Sequence, residues 1–454
     1  MRVAVIGAGP AGLMLGAGLA RRGATVTLFD RDPGPPEQGV WPRKGVMQFH
    51  HAHAIRPQVV STAQREAPGA MARLLAAGAE PVTIPLPGGG VLPAGLRCRR
   101  STFEAALRAE VAQCPGIDLR RGHVDAVRMD GAGAGARAAG VVVDGIAADA
   151  DLVVDASGRA GRVSRGLRAP QSAGGVCGIA YVDRQYQLHP GAGPGPLVNP
   201  LAWQGNFDGY QCLIFTHERG IFSVLLVRPS DRRDLVDLRF ESGFDAAARA
   251  IPGLSDWTHP DRSRPITSVL PGGTMLNAYR SQRGPDGSLA LPGLVFVGDA
   301  VCTTTPNFGR GLATTMLQVD ELLRLLEVHT DPSDTPQRAD LVAVGEAFDT
   351  WTEAMMRPWV EDHGVMDESL RRRWAGEDID PSGPIPSNLI MEAAAVDPRI
   401  QPVIGPYVAM LALPTSLQAV EPYARAVYAG GWRPPYSDGP TRAELARVVA
   451  GAVT

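Results

Sequence analysis

The segment Arg2-Val3-Ala4-Val5-Ile6-Gly7-Ala8-Gly9-Pro10-Ala11-Gly12 joins a short apolar run to three glycines at fixed spacing. The run predicts a buried strand, and the glycines predict a tight turn into a helix over residues 13–22. Gly7 permits the turn, Gly9 lets the backbone approach a pyrophosphate, and Gly12 lets the helix pack close to the strand. The start of such a helix offers free N–H groups and a positive dipole end to phosphates. The segment therefore predicts the phosphate-binding part of a dinucleotide site.

An acidic residue supports this interpretation. A second strand is predicted over residues 25–29, and Asp30 follows it directly. A carboxylate at this place accepts hydrogen bonds from ribose hydroxyl groups. The turn and the acid fit NAD and FAD equally well, so a more distant part of the chain decides between them.

That part lies near residue 300. Residues 294–300 predict an apolar strand that delivers Asp299, and residues 305–312 predict a loop whose last glycine opens a helix. Apolar residues recur along this helix near the helical period, at Leu312, Met316, Val319, Leu323 and Leu326. Asp299 would accept a hydrogen bond from a ribityl chain. The helix start at Gly311 and Leu312 would face the pyrimidine edge of a flavin, where negative charge gathers on reduction. The two blocks together favour FAD over NAD.

With these blocks the chain resembles the FAD-dependent aromatic hydroxylase-like superfamily, which also holds styrene epoxidases, flavin halogenases and geranylgeranyl reductases. A third landmark of the resemblance is the segment Asp155-Ala156-Ser157-Gly158-Arg159. A closer likeness to the flavin epoxidases of polyether antibiotic biosynthesis lies in residues 43–48, in His51-Ala52-His53 and in residues 265–269.

The resemblance implies an α/β fold with a Rossmann-like FAD-binding domain of the glutathione-reductase-like, aromatic-hydroxylase type. This discontinuous domain would comprise residues 1–168 and 285–330, with an excursion toward the substrate layer over residues 46–96. An inserted β-sheet domain over residues 169–284 would bind substrate, and residues 331–454 would form a C-terminal helical region. Alternating strand candidates within the insertion predict one apolar face for this sheet.

The resemblance also implies further cofactor contacts. An arginine is expected on the pyrophosphate, for which Arg100 is the match and Arg99 the competing candidate. Val124 matches the position whose backbone meets adenine. The other residues expected to bind the cofactor come from the two blocks, from the segment after the second strand and from the third landmark: Pro10, Ala11, Arg31, Arg43, Lys44, Ser157, Gly158, Pro306 and Gly309.

The implied activity is that of an FAD-dependent monooxygenase in bacterial secondary metabolism, an epoxidase or a hydroxylase. It would pass one oxygen atom from O₂, through a C4a-peroxyflavin, to an apolar alkene, aromatic or polyketide substrate. Asn307 and Phe308 are expected to border the reactive face. His51 and His53 are candidates to donate a proton there, and a structural role for either imidazole is the alternative.

The reductant is expected to come from a second protein. Single-component hydroxylases of the superfamily carry an Asp-Gly segment associated with NADPH use. Residues 155–159 instead have the form of relatives that receive reduced flavin from an NAD(P)H-dependent flavin reductase. The Trp-x-Trp-x-Ile-Pro motif of the halogenases is absent, and position alone does not support Lys44, the chain's one lysine, as their catalytic lysine. These two departures argue against halogenation.

Composition excludes several other classes. The formal net charge is −3 and there is no basic stripe, which argues against nucleic acid and anionic membranes as partners. The apolar stretch over residues 402–420 is interrupted by prolines and therefore does not predict a membrane span. Met1 leads directly into the first strand, so a cytoplasmic protein without a signal peptide is expected. The five cysteines form no metal pattern.

Two alternative functions stay open on the sequence. One is an FAD-dependent dehydrogenase or double-bond reductase of the geranylgeranyl-reductase type. The other is a non-enzymatic binding protein, because prenyl-protein chaperones share the fold that the resemblance implies.

Overall fold

The computed structural model describes residues 1–85, 89–199, 201–273, 275–330 and 339–453. The predicted start of the C-terminal region at residue 331 lies outside the described residues. The strands are β1 Arg2–Ile6, β2 Thr25–Asp30, β3 Glu80–Pro85, β4 Val91–Arg97, β5 Ile117–Arg121, β6 Val124–Asp130, β7 Arg137–Val143, β8 Ile146–Asp149, β9 Leu152–Asp155, β10 Ala173–Val176, β11 Ile179–Leu188, β12 Ala202–Phe207, β13 Tyr210–Thr216, β14 Ile221–Pro229, β15 Ser263–Pro265, β16 Leu270–Gly272, β17 Leu276–Tyr279, β18 Leu294–Phe296 and β19 Cys302–Thr303. The helices are α1 Pro10–Arg21, α2 Pro57–Glu66, α3 Pro68–Ala76, α4 Arg100–Val111, α5 Glu241–Ala250, α6 Pro252–Thr258, α7 Gly311–Val328, α8 Leu341–Met355, α9 Arg357–Trp374, α10 Ser387–Ala393, α11 Gln401–Val408, α12 Glu421–Ala429 and α13 Arg442–Val453.

A parallel sheet of five strands, in the order β18-β9-β1-β2-β5, forms the centre of the part that contains both sequence blocks. The first strand has the predicted bounds. The two blocks found in the sequence therefore belong to one sheet, because β1 and β18 both pair with β9. Their carboxyl ends lie at the same edge, where ligands bind in open parallel sheets.

Helices α1 and α7 pack together beside this sheet. Helix α1 begins at Pro10, earlier than predicted, because proline has no N–H to lose and a suitable φ at a first helical position. Gly18 of α1 gives the close approach, since a Cβ there would stand 2.5 Å from the Leu323 side chain. All five residues of the predicted apolar stripe of α7 are buried, which confirms that helix and its inner face.

The inserted layer is an antiparallel sheet in the order β12-β13-β14-β11-β15, with β16 also paired to β11. The predicted apolar face is present as the inner face of this sheet, but the predicted alternation is wrong, because the outer face is apolar as well. Eight of the nine residues of β14 are buried, because helices α5, α6 and α13 cover the outer face while a second apolar cluster covers the inner face. A strand that is buried on both faces has no solvent-facing positions, so its buried and exposed residues do not alternate.

A small sheet and the last helix attach other parts of the chain to the inserted layer. Strands β10, β17 and β19 form a small antiparallel sheet, which ties the inserted segment to the chain just before α7. Helix α13 packs on α5, where Leu445 and Val449 join Phe244 in the outer cluster. The last helix therefore belongs to the inserted layer, apart from the other C-terminal helices. Among the described residues, no helix is both long and apolar enough to cross a membrane.

Candidate functional site

The glycine-rich turn between β1 and α1 is closed by contacts that only glycine permits. Gly7 has φ +101°, and a Cβ there would stand 2.6 Å from the carbonyl oxygen of Ala156. A Cβ on Gly12 would stand 1.9 Å from the carbonyl oxygen of Gly7. Gly9 differs, because among described atoms only Arg43 Nη2 comes within 4 Å of its Cβ position, at 3.9 Å. The turn is thus tightly packed at Gly7 and Gly12 and open at Gly9.

Asp30, at the end of β2, stabilises this turn through hydrogen bonds. Its carboxylate accepts hydrogen bonds from Ala8 N at 2.8 Å and from Asp32 N at 2.8 Å, and Arg43 Nη2 lies 3.4 Å away. A carboxylate has about four acceptor positions, so one is left over for a ligand. The predicted contact with a ribose stays a prediction.

The basic residues that follow β2 occupy different environments. Arg43 is 4 % exposed and donates from Nη2 to the Ala8 carbonyl at 3.0 Å. Lys44 is exposed. Arg31 is also exposed and stands beside Gly45, whose Cβ position is 2.7 Å from Arg31 Nη2. Of these three residues, Arg43 alone lies against the turn in the contacts of the described residues.

The two arginines at the start of α4 point to different parts of the molecule. Arg99 pairs with Glu218 of the inserted layer, with Nε 2.8 Å from Oε1. Arg100 is 9 % exposed and donates to His53 Nε2 at 3.2 Å. Burial raises the pKa of Asp299, and the charges of Arg100 and Arg159 partly oppose that rise. The charge of Arg100 therefore reaches the acid of the second block, and the choice between Arg100 and Arg99 for a pyrophosphate stays a prediction.

The second block ends at the first residue of helix α7, which has open space around it. Asp299 is half-buried, and within the described residues no hydrogen-bond donor reaches its carboxylate. Helix α7 begins at Gly311 with no side-chain cap, and no described atom lies within 4 Å of a Cβ built on Gly311. Two buried polar atoms nearby, Asn307 Nδ2 and Thr304 Oγ1, have no hydrogen-bond partner among the described residues. Such groups ordinarily have a partner.

These features fit FAD. Two uncapped helix starts and the open positions at Gly9 and Gly311 leave room for backbone contact with phosphates and with a flavin edge. Asp30 and Asp299 retain acceptor capacity for hydroxyl groups. The unpartnered amide of Asn307 suits a ring carbonyl or nitrogen.

Three further cofactor candidates, Ser157, Gly158 and Val124, lie around the same sheet edge. The Cβ position of Gly7 is 3.2 Å from Ser157 Cα, which puts the third landmark directly beside the glycine-rich turn. Ser157 is exposed and donates its N–H to Asp155, and Gly158 has φ +82°. Val124 is 4 % exposed and packs in a cluster with Phe29.

The turn from Pro306 to Gly311 is held by residues that the sequence reading missed. Pro306 is exposed and Phe308 is half-buried. Arg56 donates to the carbonyls of Phe308 at 2.6 Å and Gly309 at 2.9 Å. The ring of Phe308 meets His363 of α9 edge-on, with centroids 5.3 Å apart. Arg56 and His363 lie far from the turn in sequence, so no local pattern pointed to them.

His51 and His53 are both engaged by the protein. His51 Nδ1 is 2.5 Å from the Tyr181 hydroxyl, and burial lowers the His51 pKa to about 4. His53 accepts from Arg100 at Nε2, so its proton lies on Nδ1 and is donated to the His51 carbonyl at 2.9 Å. Burial and the Arg100 charge hold the His53 pKa well below its usual range. Both imidazoles are neutral at pH 7.

The inner face of the inserted sheet faces these histidines. Its apolar cluster consists of Cys177, Ile179, Tyr181, Leu213, Leu225, Val227, Met275 and Trp374, with Ala52 packed against it. Asp183 of β11 is also buried on this face and accepts from Ala52 N at 2.6 Å. Burial raises the Asp183 pKa to about 8. The face between the sheet, α9 and residues 51–53 is thus apolar with a few buried polar groups.

Comparison with known proteins agrees with this architecture. Residues 1–74 match the family model described as pyridine nucleotide-disulphide oxidoreductase. Protein Rv3254 of Mycobacterium tuberculosis is 27% identical over 413 residues, which cover 82% of each chain.

Solved structures extend the likeness to most of the chain. PqsL, described as a probable FAD-dependent monooxygenase from Pseudomonas aeruginosa, aligns with TM-score 0.58 and 15% identity over 83% of this chain and 98% of its own. The flavin-dependent brominase Bmp2 aligns with TM-score 0.64 and 15% identity over 95% of this chain and 100% of its own. The chain therefore has the α/β fold of these flavin-dependent enzymes, and its residues 1–74 are similar to the pyridine nucleotide-disulphide oxidoreductase family.

Proposed function

We propose that this chain is an FAD-dependent monooxygenase that transfers one oxygen atom from O₂ to an apolar alkene or aromatic substrate. One observation carries the proposal: two uncapped helix starts, each with its own acid, meet at one edge of the parallel sheet. These are α1 with Asp30 and α7 with Asp299. The fold shared with PqsL and Bmp2 supports the same class of cofactor.

Bound FAD would supply, in its reduced form, the electrons that activate O₂. The protein's part is to hold the cofactor and to exclude water from the reaction. Residues 7–12, Arg43 and Arg100 would bind the pyrophosphate, and Asp30 and Asp299 would bind hydroxyl groups. Asn307 and the start of α7 would stabilise negative charge on the ring. Neither His51 nor His53 is proposed as a general base, because both have protein partners.

Oxygen transfer is favoured over halogenation, although one structural relative is a brominase. The chain lacks the Trp-x-Trp-x-Ile-Pro motif, and its one lysine, Lys44, is exposed. The apolar inner face of the inserted sheet supports an apolar substrate. The segment at Ser157 and Gly158, which replaces the Asp-Gly of single-component hydroxylases, supports a separate flavin reductase as electron source.

The test combines FAD, NADH, a general flavin reductase and a panel of alkenes and aromatics with the purified chain. Oxygen consumption matched by product carrying ¹⁸O from ¹⁸O₂ is expected. A reduced product formed without oxygen uptake would indicate a double-bond reductase instead, and a protein unable to take up FAD would indicate a binding protein.

The electron source is tested separately in stopped flow. NADH or NADPH alone should bleach the bound flavin very slowly. Rapid stoichiometric bleaching by either nucleotide would overturn the two-component assignment while leaving the monooxygenase assignment intact.

A further inference from the structure

Helix α4 carries a buried line of charged residues. Arg100, Glu104 and Arg108 follow one another at intervals of four, so they lie on one face of the helix. Glu104 is 0 % exposed, and the two arginines are 9 % and 8 % exposed. Charged residues are almost never buried unless they are paired, so this line needs partners. Outside the helix they are Arg43, Asp32 and His53.

Glu104 lies between two arginines, Arg100 and Arg43. One carboxylate oxygen accepts from Arg100 Nε at 2.6 Å, and the other lies 2.7 Å from Arg43 Nε. Both contacts are made at Nε, the nitrogen nearest the side-chain stem. The terminal nitrogens are therefore directed away from Glu104, with Arg43 Nη2 toward Ala8 and Gly9 and Arg100 Nη1 toward His53.

We propose that Glu104 is a positioning residue that sets the affinity for the FAD pyrophosphate by fixing the orientations of Arg43 and Arg100. This inference rests on the proposed FAD site. Glu104 does not itself touch the cofactor. It acts through the two guanidinium groups: Oε1 accepts a hydrogen bond from Arg100, and Oε2 forms an ion pair with Arg43 that lacks the alignment of a hydrogen bond.

The surrounding charges distinguish positioning from simple neutralisation. Asp30 and Asp32 also lie near Arg43, at 3.4 and 3.6 Å. If Glu104 only cancelled positive charge, its removal would make the site more positive and would strengthen pyrophosphate binding. If Glu104 orients the arginines, its removal weakens pyrophosphate binding. The two roles therefore predict opposite signs.

The first test measures dissociation constants of the full-length apoprotein for FAD, for ADP and for riboflavin, which lacks a pyrophosphate. In E104Q, whose single carbonyl can hold only one arginine, FAD and ADP should bind roughly tenfold to hundredfold more weakly, as expected for the loss of oriented charge-assisted bonds. Riboflavin binding should not change. E110Q on the same helix is the matched control.

Tighter or unchanged binding of FAD and ADP to E104Q would overturn the inference, as would an equal weakening of riboflavin. Failure of the wild-type protein to bind FAD would instead contradict the proposed function. The experiment therefore distinguishes failure of the Glu104 inference from failure of the proposed FAD site.

A second pair of variants covers the case in which E104Q does not fold, since it leaves a buried arginine unpaired. R100Q/E104Q removes one charge of each sign and is compared with R100Q. If Glu104 acts partly through Arg100, adding E104Q should weaken ADP binding less in the R100Q background than in the wild-type background. If E104Q alone is unfolded, R100Q/E104Q should bind ADP less than tenfold more weakly than R100Q does. A loss of tenfold or more in the R100Q background would overturn the role through Arg100.

Discussion

Arg310 and Asp362 form a buried ion pair, with Nη1 3.2 Å from Oδ2, that joins the turn before α7 to helix α9. The guanidinium of Arg310 also lies over Trp359 and Tyr407, with 4.6 and 4.7 Å to the ring centroids. Tyr407 completes the arrangement by donating to the same Asp362 oxygen at 2.7 Å. The C-terminal helices therefore hold the turn in place, and the candidate site depends on them as well as on the parallel sheet.

Asp299→Ala should weaken FAD binding about tenfold to hundredfold. The reason is the loss of a hydrogen bond to a charged acceptor, worth about 1.5–3 kcal/mol. Fluorescence titration of the apoprotein measures the change, with D286A in an exposed loop as control. Unchanged affinity in D299A would contradict the ribityl contact.

Gly311→Ala should separate cofactor binding from stability. No described atom lies within 4 Å of the new Cβ, and alanine favours a helix over glycine, so the apoprotein Tm should stay level or rise. If the flavin edge packs there, overpacking of about 1–3 kcal/mol should weaken FAD binding by roughly five- to hundredfold. G364A, at an equally open position of α9, should keep full affinity. Equal FAD affinity in G311A and wild type would move the flavin away from the start of α7.

Phe308→Ala should change substrate handling while FAD stays bound. The half-buried ring lies against His363, next to the turn that would border the flavin. Its removal should raise substrate KM or divert oxygen to hydrogen peroxide, which a peroxide assay run beside product analysis detects. F240A, at an exposed ring of the inserted layer, is the control. A product yield per O₂ equal to that of wild type would place the substrate elsewhere.

Asp183→Asn should remove one contribution to the pH dependence of the free energy of unfolding. Burial raises the Asp183 pKa to about 8 in the folded state, against about 4 in the unfolded chain. The folded state then holds a proton that the unfolded state releases, so this contribution is complete below pH 4 and is lost as the pH rises to 8. In urea unfolding, the free energy of unfolding of D183N should rise relative to that of wild type by about 1.4 kcal/mol per pH unit in that interval. A difference that does not vary with pH would mean that Asp183 is ionised in the folded protein.

Local patterns predicted the elements whose causes are local. Strand β1, the start of α7 at Gly311 and the buried stripe from Leu312 to Leu326 followed from periodicity and from glycine spacing within a few residues. Asp30 followed likewise from the end of a strand. Such features depend on neighbours along the chain, which a single sequence displays.

Features made by distant contacts were missed. No local pattern joins Glu104 to Arg43, because that pairing forms only when α4 packs beside the segment that follows β2. The second apolar face of the inserted sheet was also missed, because no local pattern in β14 indicates that α13 covers it. Arg56 and His363 reach the turn at Phe308 from segments on either side of it in the chain.

The strand order of the parallel sheet also constrains how the chain folds as it is made. Strand β9 lies between β1 and β18, yet β18 is translated only after the whole inserted layer. Until residues 294–296 leave the ribosome, one edge of the buried strand β9 has no partner. An apolar strand with an open edge can pair with other chains. A nascent chain that has not reached residue 294 therefore exposes this edge, and slower translation of the inserted layer would prolong that exposure.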